Sequence, residues 1–261
     1  MASRPKARVE PRIPAGTRSK GPLKSERSSP LSGASMTVGV GFFALVAILV
    51  VLGSVAEGVR AQEVFTLDMV ATPWLHALAS PALDAVMQAA TFLGSNLVIP
   101  PLFALAVLGL WRASRRREAL FVVIASGGSL ALNETMKLFF QRPRPQLTWA
   151  QVQTDYSFPS GHTMNSLVFY VGLAIVAWSV LGRRAGIIAL IAAIALTLLI
   201  GVSRIYLGYH YLTDVVGGLL AGTGWLLVVG TAFRSGPLYR LWREVEPPGS
   251  VAGDEPAGNE T

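Results

Sequence analysis

Two histidines and one aspartate define the chemistry open to this sequence. His210 and Asp214 are four residues apart, so a helix that has begun there carries both on one face. A carboxylate at that spacing accepts the imidazole N–H, fixes the tautomer and stabilises positive charge on the ring. Histidine, with an ordinary pKa of about 6.5, can donate a proton or attack as a neutral nucleophile near neutral pH. The plainer alternative is an aspartate capping a helix start, with His210 beside it. His162 follows Pro159-Ser160-Gly161. If a helix begins at Ser160-Gly161, its free N–H groups and the positive end of its dipole point toward an anion; a simple Ser-Gly turn is the competing reading. Lys137, Arg144 and Arg204 add three cations. The arginines offer planar forks to phosphate oxygens and the lysine a point charge. One basic residue at the end of a span commonly reaches for lipid headgroups. Three of them beside two histidines describe an anion pocket.

A hard metal ion would need several carboxylates. Near this cluster the sequence has Asp155 and Asp214, with Glu134 deeper; no acidic pair stands there, and no HExxH occurs in the sequence. A site without metal or cofactor is expected, with cations neutralising the substrate's charge. The chain has no cysteine, which removes disulfides, thiolate ligands and a cysteine nucleophile. The third histidine, His76, stands apart from both motifs and is expected to be a surface or packing residue.

The elements that must hold these residues are membrane helices. Of the 261 residues, 52% are hydrophobic and 14% charged, against about a quarter charged in a soluble domain. Met36–Ala56, Thr163–Leu181, Ala185–Val202 and Val215–Phe233 contain no charged side chain, and each approaches the roughly 20 residues that cross a bilayer as a helix. An ordinary soluble enzyme, a disordered protein and a porin-type barrel are excluded. The expected fold is all-α and polytopic, with six transmembrane helices: Met36–Ala56, a second within Ala85–Trp111, then Ala119–Phe140, Thr163–Leu181, Ala185–Tyr206 and Val215–Phe233. Gly94-Ser95-Asn96 and Pro100-Pro101 interrupt the second. Met36–Ala56 is too long for a cleaved signal and reads as a retained anchor. Glu57–Asp84 mixes Phe65, Leu67, Trp74, Leu75 and Leu78 with polar residues, and is expected to lie in the interface with Trp74 at headgroup depth.

Residues 1–35 form a basic tail and residues 234–261 a polar one, flanking a membrane domain over residues 36–233. The net charge of +7 is concentrated in the first tail, which holds eight of the 22 basic residues among Pro, Ser and Gly. This composition predicts a disordered cytoplasmic segment, either a solvated topology signal or one that can lie against anionic lipid, with no nucleic-acid partner. Threading the six spans puts seventeen basic residues on one side and five on the other. The positive-inside rule then makes both termini cytoplasmic. Four of the five outer cations lie in two short stretches, where the rule predicts few. Holding an anion explains their presence.

The residues resemble a known family. Lys137–Pro145, KLFFQRPRP, fits K-x6-R-P; Pro159–His162 is PSGH; Ser203–Asp214, SRIYLGYHYLTD, fits S-R-x5-H-x3-D. All eleven fixed positions match, in order, those of the type 2 phosphatidic-acid phosphatase superfamily of membrane lipid phosphatases. Arg142 lies inside the first motif but outside its fixed positions and receives no role. The resemblance implies that His210 attacks phosphorus to form a phosphohistidine and that Asp214 orients it. It implies that His162 protonates the leaving oxygen and then activates water. Lys137, Arg144, Arg204, Ser160 and the Gly161 N–H would hold the phosphoryl oxygens. It also implies a multi-pass protein of the cell membrane with its active site on the extracytoplasmic face. Implied substrates are polyprenyl diphosphate such as undecaprenyl diphosphate, phosphatidylglycerol phosphate or phosphatidic acid, among which the motifs do not choose. A phosphotransferase using the same phosphohistidine is the alternative. Vanadate-dependent halide oxidation is disfavoured by six spans, and a non-catalytic lipid sensor by the intact His162, His210 and Asp214. The oligomeric state is left open.

Overall fold

The computed structural model describes residues 31–61, 66–150 and 153–235. Contacts divide the chain into Met1–Thr37 and Val38–Thr261; apart from the start of α1, everything below lies in the second unit. The two expected tails fall outside the described residues except at their edges, which continue α1 and α8. The described residues form eight helices and no strand: α1 (Leu31–Arg60), α2 (Thr66–His76), α3 (Pro81–Leu93), α4 (Ile99–Arg112), α5 (Arg116–Phe140), α6 (Gly161–Leu181), α7 (Arg183–Tyr206) and α8 (Leu212–Ser235). Five of them, α1 and α5 to α8, are long and apolar enough to cross a membrane. The chain is a multi-pass membrane protein. Four of these, α1 and α6 to α8, run past the uncharged stretches that announced them, because backbone hydrogen bonding continues where the side chains become charged.

The expected second span is broken into α3 and α4, neither of which is long enough alone. At the break, the Ser95 hydroxyl accepts the Leu97 N–H at 3.2 Å. Pro100 and Pro101 sit in the first turn of α4, where a missing N–H removes no helical bond. The Leu93 carbonyl accepts a 2.7 Å bond from the Tyr170 hydroxyl. A Cβ on Gly94 would come 2.8 Å from the Ile200 side chain and 2.9 Å from Ser166 Oγ, so glycine lets the break lie against α6 and α7. Irregular backbone within a membrane survives where it lines a cavity, and Gly94, Asn96, Ile99 and Pro100 do so.

Helix α6 is the hub and packs on α5, α7 and α8. One buried cluster joins Phe121, Val122 and Ala125 of α5, Val168 and Val176 of α6, and Leu226, Val229 and Phe233 of α8. Among lipid tails an apolar surface gains little by association, so close backbone packing must hold helices together. Gly218 and Gly222 of α8 supply it: a Cβ on Gly218 would lie 2.8 Å from the Ser160 carbonyl oxygen, and one on Gly222 would lie 3.2 Å from that of Met164. Backbone cannot yield as a flexible side chain can. Gly218→Ala is therefore expected to destabilise by about 1–3 kcal/mol. Gly230→Ala on the same helix, with nothing within 4 Å, should be neutral or stabilising by up to about 1 kcal/mol. Thermal unfolding of the two variants in one detergent checks the contrast; equal midpoints would refute the packing argument.

Within the stretch expected at the interface, helix α2 buries its polar side and exposes its apolar one. Leu67, Met69, Val70 and Trp74 are exposed, while Asp68 and Thr72 are 2% exposed. Its polar side packs on α7 and α8. His76 stacks on Trp149 at 4.4 Å between ring centroids, which makes it a packing residue.

Candidate active site

Four chain segments meet at one end of α5 to α8. Lys137 lies in the last turn of α5, which ends at Gln141 in a left-handed turn (φ 47°) ahead of Pro143. The chain then leaves the helix through Arg142-Pro143-Arg144-Pro145, pinned by Ser157 N–H to the Arg142 carbonyl at 2.9 Å and by Ser157 Oγ to the Pro143 carbonyl at 3.1 Å. Ser160 caps α6, and its N–H donates to the Asp214 carbonyl at 3.0 Å, tying the start of α6 to the first turn of α8.

The turn after α7 explains the five-residue gap between Arg204 and His210. Gly208 adopts φ +74°, where a side chain is strained. A Cβ there would also lie 2.9 Å from both Ala150 and Leu147. The chain folds back so that the N–H groups of Tyr209 and His210 donate to the Arg204 carbonyl at 3.0 and 3.2 Å, as at a Schellman-type helix end.

Lys137, Arg144, Gly161, His162, Arg204 and His210 line one cavity of about 450 Å³, together with Asn133, Glu134 and Asp155. Asp214 stands behind His210, fully buried. Asp214 Oδ2 lies 3.3 Å from His210 Nδ1, and Arg144 Nη1 lies 3.1 Å from His210 Nε2. A carboxylate only accepts and a guanidinium only donates. Nδ1 therefore carries the proton, and Nε2 presents a lone pair to the cavity. Burial disfavours the imidazolium and outweighs the Asp214 hydrogen bond and charge; with Arg204 and Arg144 nearby, the His210 pKa falls to about 4. The ring is neutral at pH 7.

The cations are held differently. Asp155, about half exposed, accepts from Lys137 Nζ at 2.7 Å and from Arg144 Nε and Nη2 at 3.1 and 2.8 Å. Burial alone would raise the Asp155 pKa, but the hydrogen bonds and charges of Lys137 and Arg144 outweigh it and pull it down to about 2. Arg204 is 5% exposed. Its guanidinium stacks 4.2 Å over Tyr209 and donates to Thr91 Oγ1 at 2.7 Å, while its buried Nε has no partner. An unanswered buried donor costs about 1–3 kcal/mol unless a ligand satisfies it.

Ser160 departs from its expected place. It does not line the cavity; it is fully buried, and its Oγ lies 3.0 Å from Thr163 Oγ1. Its side chain serves the helix start, and Gly161 is the residue that faces the cavity. A Cβ on Gly161 would lie 2.8 Å from Asn133 Oδ1, so a larger residue would displace the Asn133 side chain. The motifs also passed over residues that complete the site. Arg142 and Asp68 pair behind Asp214, Thr91 orients Arg204, and Asp155 holds two cations. Asp68, Thr72 and His76 recur every four residues, a polar stripe on an otherwise apolar helix that marks an inward face. Among the described residues no group of three or more metal-ligating side chains occurs. Asp214 and Asp155 each face a cation, and Glu134 lies 3.9 Å from Lys137.

A membrane-helix bundle with this arrangement of Lys-Arg, Ser-Gly-His and Arg-His-Asp belongs to the PAP2 superfamily, whose sequence profile matches residues 118–235. The putative undecaprenyl-diphosphatase YbjG of Escherichia coli is 33% identical over 52% of this chain and 68% of its own length. Phosphatidylglycerophosphatase B of Bacillus subtilis is 28% identical over 64% of this chain and 83% of its own. The undecaprenyl-diphosphatase BcrC of Bacillus subtilis is 29% identical over 50% and 65%. The crystal structure of a transmembrane PAP2-type phosphatidylglycerolphosphate phosphatase from Bacillus subtilis shares the fold, with TM-score 0.66 and 24% identity over 78% of this chain and 98% of that one.

Proposed function

We propose that this protein is an integral-membrane phosphatase that hydrolyses a lipid phosphomonoester or diphosphate through a phosphohistidine, without a metal. One observation carries the reading: the lone pair of a neutral, buried His210 faces a cavity with Lys137, Arg144 and Arg204, and the buried Nε of Arg204 has no partner. In the proposed sequence, Nε2 attacks phosphorus as the P–O bond to the lipid breaks. His162 gives its proton to the leaving oxygen, and Asp214 stabilises the imidazolium. His162 then takes a proton from water, whose oxygen attacks the phosphohistidine, freeing phosphate and His210. The three cations and the Gly161 N–H hold the equatorial oxygens, where charge is greatest in the transition state. Ile99, Pro100, Phe103, Leu130 and Phe169 line the same cavity, which supports a substrate with an apolar tail. The relatives' names support phosphatidylglycerol phosphate or undecaprenyl diphosphate; phosphatidic acid completes the set.

We read α3 and α4 together as one broken span, which makes six. The seventeen-to-five distribution of basic residues supports cytoplasmic termini and an extracytoplasmic site. The test is phosphate release from a panel of lipid phosphates added outside sealed, right-side-out vesicles. Release is expected without any acceptor, to persist in excess EDTA, and to be competed by orthovanadate. Vanadate can form a trigonal bipyramid on Nε2 and so mimic the transition state. Activity that EDTA abolishes and Mg²⁺ restores would overturn metal independence, and strict need for an acceptor would favour phosphotransfer.

Asp155 provides a smaller expectation. It occupies the donors of Lys137 and Arg144 that phosphate needs. Asp155→Ala is expected to tighten competitive inhibition by inorganic phosphate by up to about fivefold, the scale of a partly exposed ion pair. An unchanged or weaker inhibition constant would show that Asp155 does not compete.

A further inference from the structure

We propose that Asp68 and Arg142 are positioning residues for the His210–Asp214 pair, so that the outer helix α2 takes part in catalysis without touching substrate. Asp214 uses both carboxylate oxygens. Oδ2 receives the Tyr211 N–H at 3.0 Å and faces His210 Nδ1 at 3.3 Å, while Oδ1 receives Arg142 Nη1 at 2.5 Å. Arg142 reaches the other way through Nη2 to Asp68 Oδ2 at 2.8 Å. Asp68 is fixed in turn by the Thr213 N–H at 2.9 Å and the Thr213 hydroxyl at 2.6 Å. Asp68 is 2% exposed, Arg142 9% and Asp214 0%. Neither Asp68 nor Arg142 lines the cavity, so neither contacts the phosphoryl group.

The chain geometry explains how one motif reaches both ends of the pair. Arg142 and Arg144 each precede a proline, which keeps their backbone out of the helical region, and the stretch that carries them is not helical. Arg142 grips the carboxylate end of the pair at Asp214 Oδ1, and Arg144 meets the imidazole end at Nε2. The Arg142 ring contact with Tyr211, at 4.3 Å, holds the guanidinium in place. Burial works against the charge on Arg142, but the carboxylates of Asp214 and Asp68 outweigh it and raise its pKa.

The charges alternate: Asp68 negative, Arg142 positive, Asp214 negative. If Asp68 were neutral, Arg142 would give its whole charge to Asp214 and weaken the carboxylate's support of the imidazolium. If Arg142 were neutral, two buried carboxylates would face each other and Asp214 would lose the bond that orients Oδ2. The pair thus tunes His210 from behind, while Arg144, Arg204 and His162 face it across the cavity and Asp214 contacts it directly.

The test compares full-length Asp68→Asn, Arg142→Gln and Arg142→Lys with wild type, measuring kcat, KM, the acid limb of the kcat/KM profile and thermal unfolding in the same detergent. Both neutral variants are expected to lose about 10–100-fold in kcat, the usual scale for residues that orient a reacting group, with KM within about twofold. Removing the Arg142 cation favours the imidazolium, so the acid limb of Arg142→Gln moves to higher pH. Asp68→Asn removes a carboxylate and does not move it upward. Arg142→Lys keeps the charge and recovers part of kcat. A folded Asp68→Asn or Arg142→Gln with wild-type kcat overturns the proposal. So does kcat loss that tracks loss of folded protein with an unmoved limb, or a set in which every variant, Arg142→Lys included, fails to fold, since either outcome makes the network purely structural. The inference rests on His210 as nucleophile. A wild-type protein that releases no phosphate sinks that reading, whereas an active wild type with kinetically normal variants sinks only this one.

Discussion

Replacing His210 by alanine is expected to lower turnover by on the order of 10⁴-fold or more, with the protein still inserted. The magnitude follows from its position. Nε2 is a neutral ring nitrogen at the cavity and the proposed nucleophile, its tautomer set by Asp214 on one side and Arg144 on the other. Alanine leaves the cations but nothing to accept phosphorus. Native enzyme quenched during turnover should carry acid-labile, base-stable phosphate, and the variant none. Because burial lowers the His210 pKa to about 4, the nucleophile is lost only as pH falls through that value. The acid limb of kcat/KM should lie near pH 4, well below the ordinary histidine range. A variant with near-native turnover ends the assignment, and a limb near 6.5 would mean that the ring is more solvated than its burial implies.

The second large effect is at His162. It opens α6 and lines the same cavity as His210. As acid and then base it is expected to contribute about 10²–10⁴-fold. An alkyl lipid phosphate leaves as a poor alkoxide and needs the proton, whereas an aryl phosphate leaves well without it. His162→Ala should therefore lose most of its activity on alkyl substrates and distinctly less on aryl ones. Equal losses would remove the acid role and leave His162 as an electrostatic neighbour.

Much of this was legible in the sequence, for physical reasons that differ by residue. The long spans announce themselves because uncharged runs of that length have few other uses. The break in the second was visible in Gly94-Ser95-Asn96 and Pro100-Pro101, which interrupt helical geometry locally. Lys137, Arg144, His162, Arg204, His210 and Asp214 were legible because local backbone sets their spacing: a helix end for Lys137, a helix start for His162, and the Gly208 turn for Arg204 and His210. Ser160 was misplaced because a hydroxyl at a helix start can turn either way, and Thr163 takes it inward. Asp155 was considered only as a metal ligand, since nothing local shows that it faces two cations. Arg142 and Asp68 were hidden most deeply. They are 74 residues apart, and only the packing of α2 on α7 and α8 makes them partners.

Helix α2 leaves Leu67 and Trp74 67% and 64% exposed, with Met69 and Val70 also uncovered by protein. Its inner side is held by charge and its outer side by whatever solvent surrounds it. In a bilayer, lipid at that outer side would complete the enclosure of the Asp68–Arg142–Asp214 assembly. A micelle that solvates α2 poorly or thins the annulus relaxes the same hold. With Asp68 positioning Asp214 as proposed, the composition of the surrounding bilayer would act on His210 through a helix outside the cavity.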